Sequence, residues 1–223
     1  MALIASDTGG GDFRLVPQGV HTGRCVRVID LGTQPREYQG KPKPPARKVS
    51  LTWELHGEDE DGTPLKTDDG KPLIISKRYT LSLGEKSILR ADLESWRGRA
   101  FTPEELAGFD VSKLLGAPAL INVKHDARDF KTYSNVASIS PVPKAMRNSV
   151  PAAVSALQLF DVTEPDMTLF EAFSDKLKET IQACAEWQKK PSVNQAAAAS
   201  APADSSMAAM DDDISTTPNY APW

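Results

Sequence analysis

Asp7-Thr8-Gly9 spells the catalytic triplet of aspartic proteases, in which paired carboxylates share a proton and activate water. That chemistry needs two such carboxylates, each held on a rigid loop after an apolar strand. Here the triplet runs straight into Gly10 and Gly11, the composition of a flexible N-terminus. Asp59 and Asp61 suggest a calcium loop, but Gly62 falls two residues too early and Gly70 stands where the closing glutamate belongs. His21, His56 and His125 lack metal-ligand spacing, and Gly9–Asp12 lacks the Lys-Ser/Thr of a phosphate-binding loop. No arrangement of Ser, His and Asp singles out a nucleophile. The expectation is a protein without enzymatic activity, metal or cofactor.

The chain is instead rich in cations interleaved with aromatics. The stretch 33–48 holds Arg36, Lys41, Lys43, Arg47 and Lys48 around Tyr38, against the single acid Glu37. A second group comprises Lys77, Arg78 and Tyr79, and a third Lys124, Arg128, Phe130, Lys131 and Tyr133. Cations track phosphates, while aromatic faces stack bases at about 1–3 kcal/mol each whatever the base. These residues are the candidate nucleic-acid contacts, together with Trp53. Trp53 shares a face with Val49, Leu51 and Leu55, and Tyr79 is in register with Leu73, Ile75 and Leu81, so each either fills the core or stacks a base.

The elements that must position these groups are read from periodicity. Residues 19–32, 48–57, 73–82, 117–126 and 130–141 have the β-branched content or the alternation of strands. Between the third and fourth lies a helix with the stripe Ile88, Leu89, Leu93 and Trp96, opened by a Ser82/Glu85 capping box and closed by Gly98. Thr102 and Glu105 start a second, short helix. With four prolines and no hydrophobic period, 33–48 reads as a long loop.

The order β-β-β-α-β-β is that of a five-stranded OB-fold, a mainly β barrel with helices. There, single-stranded nucleic acid lies across strands two and three, flanked by the one–two and four–five loops. The expected organisation is a flexible N-terminus (1–13), an OB-fold DNA-binding domain (14–143), a linker (144–165), a C-terminal helix (166–189) and a disordered acidic tail (190–223). The C-terminal helix starts with Thr168 and Glu171 as its cap and carries the amphipathic stripe Phe170, Phe173, Leu177, Ile181 and Cys184. That stripe must be buried on the barrel or against a second copy of the chain, which leaves a homo-oligomer open.

Charge is divided unevenly. Residues 14–147 carry 22 Lys and Arg against 17 Asp and Glu, and residues 148–223 carry 4 against 11. A basic body with an acidic tail suits a nucleic-acid partner. Cys25 and Cys184 form no CxxC pair, and no apolar run approaches the ~20 residues of a membrane span, so a reduced cytoplasmic protein without membrane contact is expected.

Three segments, "VPQGVHTGRCVRVIDLGTQ", "LIISKRYTLSLGEKSILRADLESWRGRAFTPEELAGFDVSKLLGAPALINV" and "KTYSNVASISPVP", resemble a family of bacteriophage single-stranded DNA-binding proteins. The resemblance covers most of 16–143. It implies an OB-like fold, no enzymatic activity, and a role in DNA replication or recombination in the cytoplasm of an infected bacterium. The tail is similar to the acidic tip of bacterial single-stranded DNA-binding proteins, with Asp211, Asp212, Asp213 and Ile214 in place. A nine-residue extension holding Tyr220 and Trp223 follows instead of the usual Pro-Phe. This implies that replication or recombination proteins grip the tail. The alternative is an OB-fold protein-binding adaptor or host-factor inhibitor whose basic surface is incidental.

Overall fold

Val20, Thr22, Val26, Val28 and Ile29 favour extended backbone, and the chain there forms its longest strand, β1 (Gly19–Tyr38). The computed structural model describes residues 14–128 and 131–189. Beyond β1 come β2 (Lys41–His56), β3 (Ile74–Thr80), α1 (Ile88–Arg97) and α2 (Pro103–Ala107). A 3₁₀ turn (Val111–Leu114) then leads to β4 (Pro118–Arg128) and β5 (Lys131–Ser140). After a second 3₁₀ turn (Lys144–Ser149), β6 (Gln158–Phe160) precedes three short helices, α3 (Met167–Glu171), α4 (Asp175–Gln182) and α5 (Ala185–Gln188).

The protein is mainly β. Five antiparallel strands run in the order β3-β2-β1-β4-β5. While β2 occupies one edge of β1, β4 pairs with the other from Gly19 to Arg24, and β6 takes that edge over, in parallel, from Arg27 to Ile29. Among the described residues no ladder joins β3 to β5, so the sheet is not closed. Helix α1 lies across the opening. Ser95 donates to the Ile139 carbonyl of β5 (2.6 Å), while Asp92 accepts from Lys77 (2.7 Å) and Tyr79 (2.8 Å) of β3.

Two cores result, and β1 serves both. Bulges interrupt its pairing with β2 between Cys25 and Arg27, between Asp30 and Gly32, and between Gln34 and Arg36. Each inserted residue changes which face the following side chains present. Cys25 and Val28 therefore join a first core with Leu51, Trp53, Leu93, Trp96 and Ile121, whereas Ile29 and Leu31 join a second core with Phe160, Phe170, Phe173, Ile181 and Cys184.

Several expectations need correction. Residues 33–48 are not a loop, because β1 runs on to Tyr38 and β2 begins at Lys41. Only Gln39 and Gly40 turn, both at positive φ (51° and 71°), as a two-residue hairpin of the primed type requires. Alternation is absent because this arm has solvent on both faces, and its prolines are tolerated because β3 stops opposite Lys48, leaving the outer edge of β2 unpaired.

The single C-terminal helix is three helices. Its stripe was read correctly, but extended backbone at Ser174 (ψ 151°) and Cys184 (ψ 155°) breaks the helix so that the stripe wraps around Phe160. Its cap is Asp166, which accepts from the Thr168 and Leu169 amides, rather than Thr168 with Glu171. Helix α1 likewise begins one turn later than expected, capped by Ser87, while the Thr102/Glu105 box of α2 and the left-handed Gly98 that ends α1 are both present.

The expected linker is no linker either. Arg24 donates to the carbonyls of Gly116 (2.7 Å), Val150 (3.1 Å) and Pro151 (2.9 Å). Its cross-strand neighbour Glu54 accepts from the amides of Val154 (2.7 Å) and Ser155 (2.8 Å). Burial pushes the Glu54 carboxyl up, but these donors and the adjacent His56 outweigh it and the net shift is downward. Residues 150–155 are thus strapped over Arg24 and Glu54, and Ser50, Thr52 and Glu54 on the polar face of β2 are buried along with its apolar face. No helix among the described residues is long and apolar enough to cross a membrane.

Candidate nucleic-acid interface

The arm formed by the ends of β1 and β2 is exposed throughout 35–45, and Tyr38 at its tip is 62% exposed. Its base is held from two sides. Glu186 accepts from both the amide (2.7 Å) and the hydroxyl (2.6 Å) of Thr33, and Gln34 donates to the carbonyls of Leu31 (2.6 Å) and Thr180 (2.8 Å). Burial raises the Glu186 carboxyl, but the Thr33 donors outweigh this and hold it at about 2. Gly32, at φ +67°, lies so close to α5 that a Cβ there would sit 2.5 Å from the Cys184 sulfur. On the other side Arg47 pairs with Asp30 (2.5 Å) and Asp161 (3.7 Å).

Where the arm leaves the body, a cleft of about 510 Å³ opens between β2, β3 and the start of α1. Four cations from four separate segments line it: Arg36 of β1, Lys48 of β2, Arg78 of β3 and Lys86 just before α1. No carboxylate lines it, and none of the four cations forms an ion pair among the described residues. Ser82 and the α1 cap Ser87 add hydroxyls, and Ile88 stands 66% exposed at the wall instead of in the core where its helical spacing placed it. Such a concentration of unneutralised positive charge beside exposed polar groups is suited to phosphate oxygens.

The structure sorts the expected contacts. Arg36, Lys48 and Arg78 converge on the cleft, and Tyr38, Lys41 and Lys43 project from the arm beside it. Trp53 does not stack bases. It is 0% exposed and meets Trp96 edge-on, ring centres 5.7 Å apart. Tyr79 is 4% exposed with its hydroxyl on Asp92; burial, then the Asp92 charge, push that phenol well above its usual range. Lys77 is spent on the same Asp92 and Arg47 on its two aspartates, so both act as braces.

The β4–β5 hairpin is a separate site. Register carries β4 past the N-terminal end of β1, whereas the arm leaves from the C-terminal end, so the two basic hairpins lie at opposite ends of that strand. Lys124 pairs with Asp126 (3.2 Å), Arg128 and Lys131 face each other across the turn, and Tyr133 is 47% exposed. Phe130 and the tail residues Asp211, Asp212, Asp213, Ile214, Tyr220 and Trp223 lie outside the described residues, as does Asp7.

Lys86 was missed. Its only sequence signal is its place one residue before a helix cap, which periodicity does not mark. The histidines are engaged apart from one another: His21 with the Pro17 carbonyl and His125 with the Val16 carbonyl (both 2.8 Å), His56 beside Glu54 (3.1 Å). Asp59 accepts from the amides of Asp61 and Thr63 within its own turn. No protein-family model and no curated protein matches the chain.

Proposed function

We propose that this is a sequence-independent single-stranded DNA-binding protein, an OB-like barrel acting in phage DNA replication or recombination in the cytoplasm of the bacterial host. The observation that carries the reading is the cleft of four cations without an ion pair among the described residues, at the root of an exposed, aromatic-tipped basic arm. The strand order supports the OB-like assignment, with β1 central, a helix between β3 and β4, and the cleft on β2 and β3, where OB-folds take single strands. Backbone phosphates would lie along Arg36, Lys48, Arg78 and Lys86, with a base against Tyr38.

In this reading no chemistry is performed, and the acidic tail recruits partner proteins once DNA has occupied the basic surface. A protein partner that adds a strand to the arm is disfavoured, because three prolines within Pro42–Pro45 leave this stretch of β2 short of backbone donors.

The test is a fluorescence titration with poly-dT at two salt concentrations. The wild type is expected to bind at low salt and weaken steeply as salt rises, and Lys48→Glu with Arg78→Glu is expected to abolish binding without unfolding the chain. Wild-type protein that ignores poly-dT at low salt would refute the reading.

A further inference from the structure

A second acid-free basic cleft lies at the other end of α1. It measures about 370 Å³ and is lined by Arg97, Arg99, Lys113 and Arg147 over a floor of Trp96, Phe109 and Leu114. Two of its cations are partly neutralised, since Arg97 and Arg99 (2.7 Å) share the carboxylate of Glu105. Lys113 only feels the charge of nearby Asp110, whose carboxyl it helps to lower. Lys113 is exposed and has no ion pair among the described residues, and Arg147 donates only to the backbone carbonyl of Val142 (3.1 Å). Arg97 also keeps a buried guanidinium nitrogen, Nη1, with no hydrogen-bond partner, an unmet donor at the cleft wall.

We propose that this cleft is a second phosphodiester subsite, so that nucleic acid is gripped at both ends of α1. The inference rests on the nucleic-acid reading above and extends it. The first cleft is lined by residues 86–89 and the second by 96, 97 and 99, the two ends of a ten-residue helix. At a rise of about 1.5 Å per residue the two are about 15 Å apart. Stacked nucleotides rise about 3.4 Å each, so about four or five of them cover that interval. The intervening acids do not repel a strand, because Asp92 is bonded to Lys77 (2.7 Å) and Glu94 to Arg90 (3.0 Å).

The phosphates have two sources: the same strand continuing along α1, or a second strand held side by side with the first. Titrations of the full chain with a length series of oligo-dT distinguish them. Lys113→Glu with Arg147→Glu alters two exposed side chains, and its thermal melt should match the wild type. If one strand spans both clefts, the variant's log–log salt slope is shallower by about 1.4, about 0.7 per lost contact, and its affinity stops rising at a shorter oligonucleotide. If the second cleft holds another strand, the wild type binds two short oligonucleotides per chain and the variant one. An unchanged slope, plateau length and stoichiometry would overturn the second subsite. When that happens while Lys48→Glu with Arg78→Glu still abolishes binding, only this inference falls. Wild-type protein that binds no oligo-dT removes both.

Discussion

The β1–β2 hairpin is one ladder with two characters, and the change comes at Gln34. From His21 to Gln34 every residue is buried or half-buried: Cys25 and Val28 lie in the first core, Ile29 and Leu31 in the second with Phe160 and helices α3 to α5, and Arg24 under residues 150–151. From Pro35 to Tyr38 nothing among the described residues covers it, and its partner residues from Lys41 to Pro45 are equally bare. Backbone pairing alone keeps the tip extended, whereas the base is extended because two cores require it. The tip's side chains are therefore free for a ligand, and the base's are not. Orientation of the tip is delegated to the base, through the Thr33–Glu186, Gln34–Thr180 and Arg47–Asp30 contacts.

Substitutions at the base should cost stability, and substitutions at the tip should cost binding alone. The largest effect is expected from Trp53→Ala, which empties the centre of the first core and should destabilise the fold by about 3–5 kcal/mol in denaturant titration. A loss under about 1 kcal/mol with a fall in poly-dT affinity would return Trp53 to the ligand-binding side of the division.

Next is Gly32→Ala. A left-handed backbone and a Cβ driven into Cys184 should together cost about 1–3 kcal/mol and speed hydrogen exchange at the Thr33 amide and through α4 and α5. Exchange as slow as in the wild type would mean that α5 does not clamp the arm. The smallest stability effect, within about 0.5 kcal/mol, belongs to Lys41→Glu with Lys43→Glu, whose poly-dT salt slope should nevertheless be shallower by about 1.4. Should that pair destabilise the chain and leave binding intact, the contrast between base and tip is wrong.

Legibility in the sequence followed the same line. Val49, Leu51, Trp53 and Leu55 showed the alternation of a strand with an apolar face, and that face lies in the first core. The opposite face of β2 gave no hint of burial, and at Glu54 the reason is distance along the chain, since the amides that hold it belong to Val154 and Ser155, about a hundred positions away. The stripe of Phe170, Phe173, Ile181 and Cys184 was legible and the breaks within it were not, since a stripe specifies which side chains are buried but not the curvature of the surface they meet. The arm was misread for the opposite reason. Its side chains are exposed, so no hydrophobic period records their conformation.

In the candidate interface, residue type was legible and availability was not. Cations and aromatics were visible along 33–48 and at 77–79, yet Arg47, Lys77 and Tyr79 are engaged elsewhere while the unremarked Lys86 completes the cleft. Local interactions encode extended runs and helix caps in neighbouring residues; the sequence by itself therefore determined the central parts of β1 to β5, the presence of α1 and α2 and which side chains carry charge, but neither the arm nor β6. Which charges remain unneutralised was decided only by tertiary structure. Arg47 meets Asp161 and Lys77 meets Asp92 across long stretches of chain, whereas Arg36, Lys48, Arg78 and Lys86 are brought together with no acid among them.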